Sequence, residues 1–133
     1  MSAKVTFIHT VPSLAETFRD LAGRLLPDAA VDEVVMEHLL QRTVAEGHVA
    51  PRTERELAEA VTAAAEEADV VMVTCSTLGT AVDALAGRSG LPVMRVDEAM
   101  ARRAVETGDR IGVLATLPTT LEPTVALLER LAP

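Results

Sequence analysis

The sequence predicts an open α/β domain in which about five parallel strands carry helices on both faces. Strand-like and helix-like patterns alternate along 133 residues, a length that suits one domain. The apolar content is Ala, Val and Leu, with two Phe and no Trp or Tyr. This mixture favours a helix-covered parallel sheet over a β-sandwich. Residues 69–74 (DVVMVT) form the most continuous apolar run, which is typical of a strand covered on both faces.

The predicted strands are short apolar segments separated by helical patterns. They span residues 4–9, 29–36, 69–74, 92–96 and 110–115. Right-handed crossovers between parallel strands then give the flavodoxin-like order 2-1-3-4-5. In this order the topological switch point lies between strands one and three, and ligands bind beside it at the carboxyl edge.

The helices are predicted from apolar periodicity and from capping signals. Their approximate spans are residues 13–26, 37–46, 53–68, 77–87, 98–107 and 120–131. Capping-box spacing occurs at Ser13 with Glu16, at Thr53 with Glu56, and at Thr119 with Glu122. Pro123 fits the first turn of the last helix, and Asp97 is favoured as a cap over a role in a site.

Charge and composition exclude several classes of partner. The net charge is −8 and no basic run exists, so nucleic acid and anionic membranes are poor partners. The apolar runs are too short to span a bilayer, and the start, MSAKVTFIHT, enters a strand without a signal-peptide pattern. A single cysteine excludes an internal disulfide. We therefore expect a cytoplasmic protein.

The most informative residue is Cys75, which directly follows the third predicted strand. It precedes a helix whose free N–H groups favour an anion, a setting that raises the thiolate fraction of a cysteine. From position alone, a reactive thiolate and a small buried hydrophobic residue are equally good interpretations of Cys75. The neighbouring Ser76, Thr77, Gly79 and Thr80 favour a ligand site, although helix capping explains at least one of the first two hydroxyls.

Two further loops carry hydroxyls at the same predicted edge. Thr116, Thr119 and Thr120 follow strand five, where binding of a carboxylate and simple capping of a helix are equally good explanations. The loop after strand one contains Thr10, Pro12 and Ser13, and capping is the stronger interpretation for Ser13.

Other cysteine and cofactor chemistries do not fit. A tyrosine-phosphatase loop needs Arg six residues after Cys, where this chain has Ala81, and no second Cys completes a C-x-x-C motif. His9 is interpreted as a packed strand residue rather than a base, and His38 and His48 are expected outside the site. The sequence contains no metal-ligand spacing, Walker loop or G-x-G-x-x-G motif, so we expect no metal and no cofactor.

Three segments in order carry a resemblance to a known family. They are DVVMVTCSTLGTAVDAL, LPVMRVDEAMARRAV and DRIGVLATLPTTLEPTVALLER, preceded by KVTFIHTVPSL at the start. Together they resemble the aspartate/glutamate/hydantoin racemase superfamily over essentially the whole chain. The resemblance implies one α/β domain, with residues 1–108 similar to the family's first domain and 109–133 to the start of its second half.

The resemblance implies cofactor-independent proton transfer at a carbon beside a carboxylate or carbonyl, between two acid/base residues on opposite sides of the substrate. Cys75 matches the first of these thiols. The positions that match substrate-binding loops are Thr10, Pro12, Ser13, Ser76, Thr77, Thr116, Thr119 and Thr120. Related branches include maleate isomerases and arylmalonate decarboxylases, so the small carboxylate substrate stays open.

The second thiol of the family has no counterpart, since Cys75 is the single cysteine. Four explanations follow: a truncated copy, a separate second-half subunit, a homo-oligomer that builds a different pocket, or a remnant without turnover. The alternative to an isomerase is thus a non-catalytic module that binds a small anion or docks a partner.

Overall fold

The computed structural model describes residues 2–133, which form a parallel sheet covered by helices. Its strands are β1 (Lys4–His9), β2 (Ala30–Val35), β3 (Val70–Val73) and β4 (Val93–Arg95). Its helices are α1 (Leu14–Leu25), α2 (Glu37–Glu46), α3 (Pro51–Ala65), α4 (Gly79–Ser89), α5 (Glu98–Thr107) and α6 (Pro118–Leu131), and a 3₁₀ turn (Ser76–Leu78) precedes α4. Among these residues no helix combines the length and the apolar character needed to cross a membrane.

The sheet confirms the predicted fold class and strand arrangement. All pairs are parallel and the order is β2-β1-β3-β4. The register aligns Val5 with Val70 and Val71 with Val93. The switch point therefore lies between β1 and β3, and the loops that follow these two strands leave from the same edge.

The sheet has four strands because residues 110–115, predicted as strand five, form no strand. Ile111 is 39% exposed and Leu114 is 100% exposed, so the apolar run does not join the sheet. The cause is the position of α6, which packs on α5, on α4 and on the 3₁₀ turn after β3. Residues 108–117 connect α5 to this position and do not pair with β4.

The predicted helix caps are the other element that the structure corrects. Ser13 and Asp97 precede α1 and α5, but neither side chain makes a capping hydrogen bond. Asp97 binds Arg95. Thr53 lies inside the first turn of α3 and accepts a hydrogen bond from Nη1 of Arg42 at 3.1 Å. Asp97 and Thr53 thus have tertiary partners in Arg95 and Arg42, whereas the exposed side chain of Ser13 bonds to no other residue among those that the structure describes.

The last helix also begins earlier than its sequence signals indicate. It starts at Pro118, which suits the first position of a helix because proline has no N–H to leave unpaired. Thr119 is therefore inside the helix and does not cap it, and Pro123 lies beyond the first turn.

Two apolar cores lie on opposite faces of the sheet. On one face, Val5 and Phe7 of β1 pack against Ala22 and Phe18 of α1. On the other, the buried side chains of β1 and β3 pack against α2, α3 and α4; they include Ile8, Leu39, Leu57, Val61, Val71, Val73, Leu78 and Val82. Because β3 is covered on both sides, its sequence VVMV is a continuous apolar run.

The α1 side of the sheet also contains a buried polar group. His9 is 0% exposed, and its ring stacks on Phe7 and tilts against Phe18, as the strand interpretation predicts. Its Nδ1 lies 2.6 Å from Oγ1 of Thr74, and its Nε2 lies 3.8 Å from Oε2 of Glu33. Burial lowers the pKa of His9 below its ordinary value.

A buried guanidinium joins the sheet to α4, α5 and α6. Arg95 at the end of β4 is 3% exposed and donates two hydrogen bonds to Asp97, at 2.7 and 3.0 Å, and one to Asp83 at 2.7 Å. A weaker bond reaches the carbonyl oxygen of Pro123 at 3.4 Å. Burial opposes the charge, but the two carboxylates hold the pKa of Arg95 above its ordinary value. Gly79 provides the space, since a Cβ there would overlap the guanidinium.

Replacing Gly79 by alanine should destabilise the fold by about 1–3 kcal/mol, because the new methyl group overpacks against Arg95. Gly87 in the same helix is the matched control, since nothing lies within 4 Å of its Cβ position. Gly87→Ala should stabilise the protein by about 0.5–1 kcal/mol through helix propensity. Urea unfolding followed by circular dichroism measures both changes. A Gly79→Ala variant with the wild-type midpoint would contradict this account of Arg95.

The buried imidazole should make stability depend on pH. Because the pKa of His9 is lower in the folded than in the unfolded chain, the unfolded state binds the proton first as pH falls. This contribution is present above the ordinary histidine value of about 6.5 and is lost as pH falls below it. His9→Asn keeps a polar partner for Thr74 and should lose less stability than wild type between about pH 7.5 and 5.5 in urea titrations. His48→Asn, at an exposed position, should show the same loss of stability as wild type. Equal losses in all three proteins would count against a role for the buried imidazole of His9.

Candidate functional site

Two cavities adjoin the loops that follow the strands at the carboxyl edge. The larger has a volume of about 570 Å³, within the range of small-molecule sites. Its walls come from α2 and the loop after it, from the 75–80 turn and from the first half of α6. The lining residues are Thr43, Val44, Gly47, His48, Val49, Thr77, Thr80, Pro118, Thr119, Glu122, Pro123 and Ala126.

The smaller cavity, of about 430 Å³, is mostly apolar and lies beside the loop after β1. Its lining residues are Thr10, Val11, Pro12, Glu37, Leu40, Gln41, Val44, Ala45 and Leu117. The two cavities share Val44 and meet at the start of α6, where Leu117 lines one and Pro118 the other. They therefore flank α2 as neighbouring spaces.

Thr77 and Thr119 of the predicted site line the larger cavity, and Thr120, which lines neither cavity, contacts Thr77 beside it. Oγ1 of Thr77 lies 3.0 Å from Oγ1 of Thr120 and 3.4 Å from Oγ1 of Thr119. The pairing joins residues 42 and 43 positions apart in the chain. The hydroxyl-rich loop predicted after strand five and the turn after β3 thus form one polar wall.

Cys75 occupies the predicted place at the end of β3, but its surroundings are apolar. It is 7% exposed and belongs to the core cluster with Val73, Leu78 and Leu39. It lines neither cavity, whereas Thr77 and Thr80 from the following turn line the larger one. The thiol is therefore beneath the wall of the cavity rather than on its surface.

The remaining predicted positions divide between the smaller cavity and the outside. Thr10 and Pro12 line the smaller cavity. Ser13 and Thr116 are exposed and Ser76 is half-buried, and none of the three lines either cavity. The structure thus brings Thr77, Thr119 and Thr120 together, whereas Ser13, Ser76 and Thr116 lie outside both cavities.

Sequence reasoning missed the contribution of the segment after β2. His48 was expected outside the site, but it lines the larger cavity together with Thr43 and Gly47. The parallel topology could have indicated this contribution. The segment that follows β2 starts at the same edge of the sheet as the segments that follow β1 and β3. Gly47 then ends α2 in the left-handed conformation with φ +76°, which turns the chain toward the cavity.

The cavity contains two further polar groups that sequence reasoning did not assign, Glu122 and the imidazole of His48. Nδ1 of His48 lies 3.1 Å from the carbonyl oxygen of Glu46. A carbonyl only accepts, so Nδ1 is the donor in this contact. Within residues 2–133, no group of three or more His, Cys, Asp and Glu side chains is arranged to hold a metal ion.

Comparison with known proteins gives one match. No curated protein and no solved structure matches the chain significantly. The family described as Asp/Glu/Hydantoin racemase matches residues 8–131. This range includes the loop after β1, α2 with the loop after it, the 75–80 turn and α6, and so every segment that lines the two cavities. The chain therefore belongs to the Asp/Glu/Hydantoin racemase family.

Proposed function

We propose that the protein is an isomerase- or racemase-like enzyme that moves a proton on a small carboxylate through the thiol of Cys75. The observation that carries the proposal is the family match over residues 8–131. The position of Cys75 supports it, since the residue follows β3 at the switch point and directly precedes the turn that lines the larger cavity.

In this proposal the thiolate of Cys75 removes the proton from the carbon next to the carboxylate. The electron pair of the C–H bond moves toward the carboxylate oxygens, where negative charge develops. Fixed donors must meet this charge. The hydroxyls of Thr77 and Thr119, which line the larger cavity, serve this role, and Thr120 holds the hydroxyl of Thr77 from the side. Thr10 and Pro12 shape the neighbouring space.

Inversion needs a second acid that returns a proton to the other side of the carbon. Ser76 and Thr77 cannot act as this acid because they share one turn with Cys75. We propose that a second copy of the chain or a separate second-half subunit supplies it. Without that partner, one chain would exchange the proton without inverting the carbon.

Access to the thiol requires movement of the wall above it. Cys75 is 7% exposed, and α6 packs directly on the turn that follows it. Two contacts between neutral hydroxyls join Thr77 to the first turn of α6, and each contributes about 0.5–1.5 kcal/mol, whereas the later residues Thr124 and Leu127 are buried. We propose that substrate enters when the first turns of α6 move away from residues 76–78.

The burial of Cys75 also favours a second candidate function, a module that binds a small anion without turnover. Buried cysteines often act as small hydrophobic residues. The module would hold its ligand on the threonine wall and would have no need of the thiol. It predicts that a ligand stabilises the protein equally well when Cys75 is replaced.

Hydrogen–deuterium exchange separates the two functions. Incubated in deuterated water with the D and L forms of alanine, serine, valine, aspartate and glutamate, and with a 5-substituted hydantoin, the wild-type protein should exchange the proton of at least one. Cys75→Ser and Cys75→Ala should each slow this exchange by about 10²–10⁴-fold, the usual contribution of an acid/base group. Proton NMR measures the exchange.

The alanine variant is the control for packing, because a small apolar side chain suits the core around Cys75. Thermal unfolding should show both variants folded at the assay temperature. Exchange that persists in both would remove the thiol from the mechanism. No exchange with any compound, together with ligand stabilisation that survives both substitutions, would favour the binding module.

A further inference from the structure

The charges that line the larger cavity are unusual for a site that receives a carboxylate. Neither cavity is lined by lysine or arginine among residues 2–133. The larger cavity instead carries threonine hydroxyls, one carboxylate from Glu122 and the imidazole of His48. The hydroxyls can donate hydrogen bonds to one negatively charged group of a ligand. No lysine or arginine lines the cavity to neutralise a second negative charge.

Glu122 is available to a ligand. Its side chain makes no hydrogen bond or ion pair with another side chain in the part of the chain that the structure describes. The arginine that contacts α6 and the arginine within it are engaged elsewhere: Arg95 binds Asp97 and Asp83, and Arg130 lies 3.4 Å from both Asp83 and Glu98. The cavity therefore presents an unneutralised carboxylate.

The spacing of Thr119 and Glu122 matches a ligand that bears opposite charges on one carbon. The two residues are three positions apart on α6 and both line the cavity, so their Cβ atoms lie about 5–6 Å apart. A hydroxyl and a carboxylate at this distance can bind the carboxylate and the ammonium group of one α-amino acid.

We propose that the larger cavity selects zwitterionic α-amino acids with uncharged side chains, with the ammonium group on Glu122 and the carboxylate on the hydroxyls of Thr77 and Thr119. This inference deepens the proposed function and rests on its placement of the substrate. The apolar wall of Val44, Val49 and Ala126 receives the side chain. Aspartate and glutamate are disfavoured because their second carboxylate would lie near Glu122 with no lining cation.

Isothermal titration calorimetry at pH 7.5 with the full chain tests the selection. The probes are alanine, serine and valine in both stereochemical forms, aspartate, glutamate, and the deaminated acids propionate and 3-methylbutanoate. Neutral amino acids should bind at least tenfold more tightly than aspartate, glutamate or the deaminated acids. Equal or tighter binding of aspartate or glutamate would overturn the proposal, as would no binding of any neutral amino acid.

The residue itself is tested by Glu122→Gln. This variant should bind alanine or valine about tenfold more weakly and should leave the affinity for the deaminated acids unchanged. Glu129→Gln is the matched control, since Glu129 is exposed on the same helix and lines neither cavity. Thermal unfolding should show both variants equally stable. An unchanged preference for neutral amino acids in Glu122→Gln would refute the role of Glu122.

Two results separate this inference from the proposed proton transfer. Neutral amino acids that bind through Glu122 without Cys75-dependent exchange would leave the selection standing and reject the enzyme. Exchange that depends on Cys75 but proceeds best with aspartate or glutamate would keep the enzyme and reject the selection.

Discussion

The buried guanidinium of Arg95 is the interaction on which the carboxyl edge of the protein depends. A charge that is 3% exposed is tolerated only if hydrogen-bonded partners of opposite charge surround it. Asp97 binds it from the start of α5, Asp83 from α4, and the Pro123 carbonyl from α6. The position of α6 is therefore set by the end of β4, although residues 108–117 between them make no strand.

The placement of α6 in turn creates the cavity. Residues 118–126 form one wall, and Thr119 and Thr120 meet Thr77 at the turn after β3. If residues 110–115 formed a fifth strand beside β4, the following helix would begin farther from this turn. The contact between Thr77 and α6 would then be lost. The unpaired apolar segment and the closed polar wall are thus two consequences of one packing arrangement.

The features that the sequence predicted well are those determined by local pattern and chain topology. Apolar runs on β1 and β3 and helical periodicity placed the main elements, and right-handed crossovers then gave the strand order and the position of Cys75. The predictions that were wrong concern features that depend on tertiary partners. Asp97 has the spacing of a cap but binds Arg95. No local signal shows that a distant guanidinium will compete for its carboxylate.

The site was predicted less completely than the fold for a related reason. Loops that follow neighbouring strands were recognised because the topology brings them together. His48 and Glu122 reach the cavity through the end of α2 and the second turn of α6, and their positions depend on helix packing. A motif based on a strand end cannot locate such residues. The thiol, by contrast, was located correctly along the chain, but its burial depends on α2, α3 and α4 covering the sheet.

The charge of the cavity follows from how the fold uses its cations. Arg95, which contacts α6, and Arg130, which lies within it, are paired with Asp83, Asp97 and Glu98. Asp83 and Asp97 hold Arg95, while Arg130 bridges Asp83 and Glu98, so turning either arginine toward the cavity would weaken the contacts among α4, α5 and α6. Glu122 therefore keeps its charge unopposed. The interaction that positions the cavity wall is also the one that removes cations from it, so the fold itself favours a ligand that brings its own positive group.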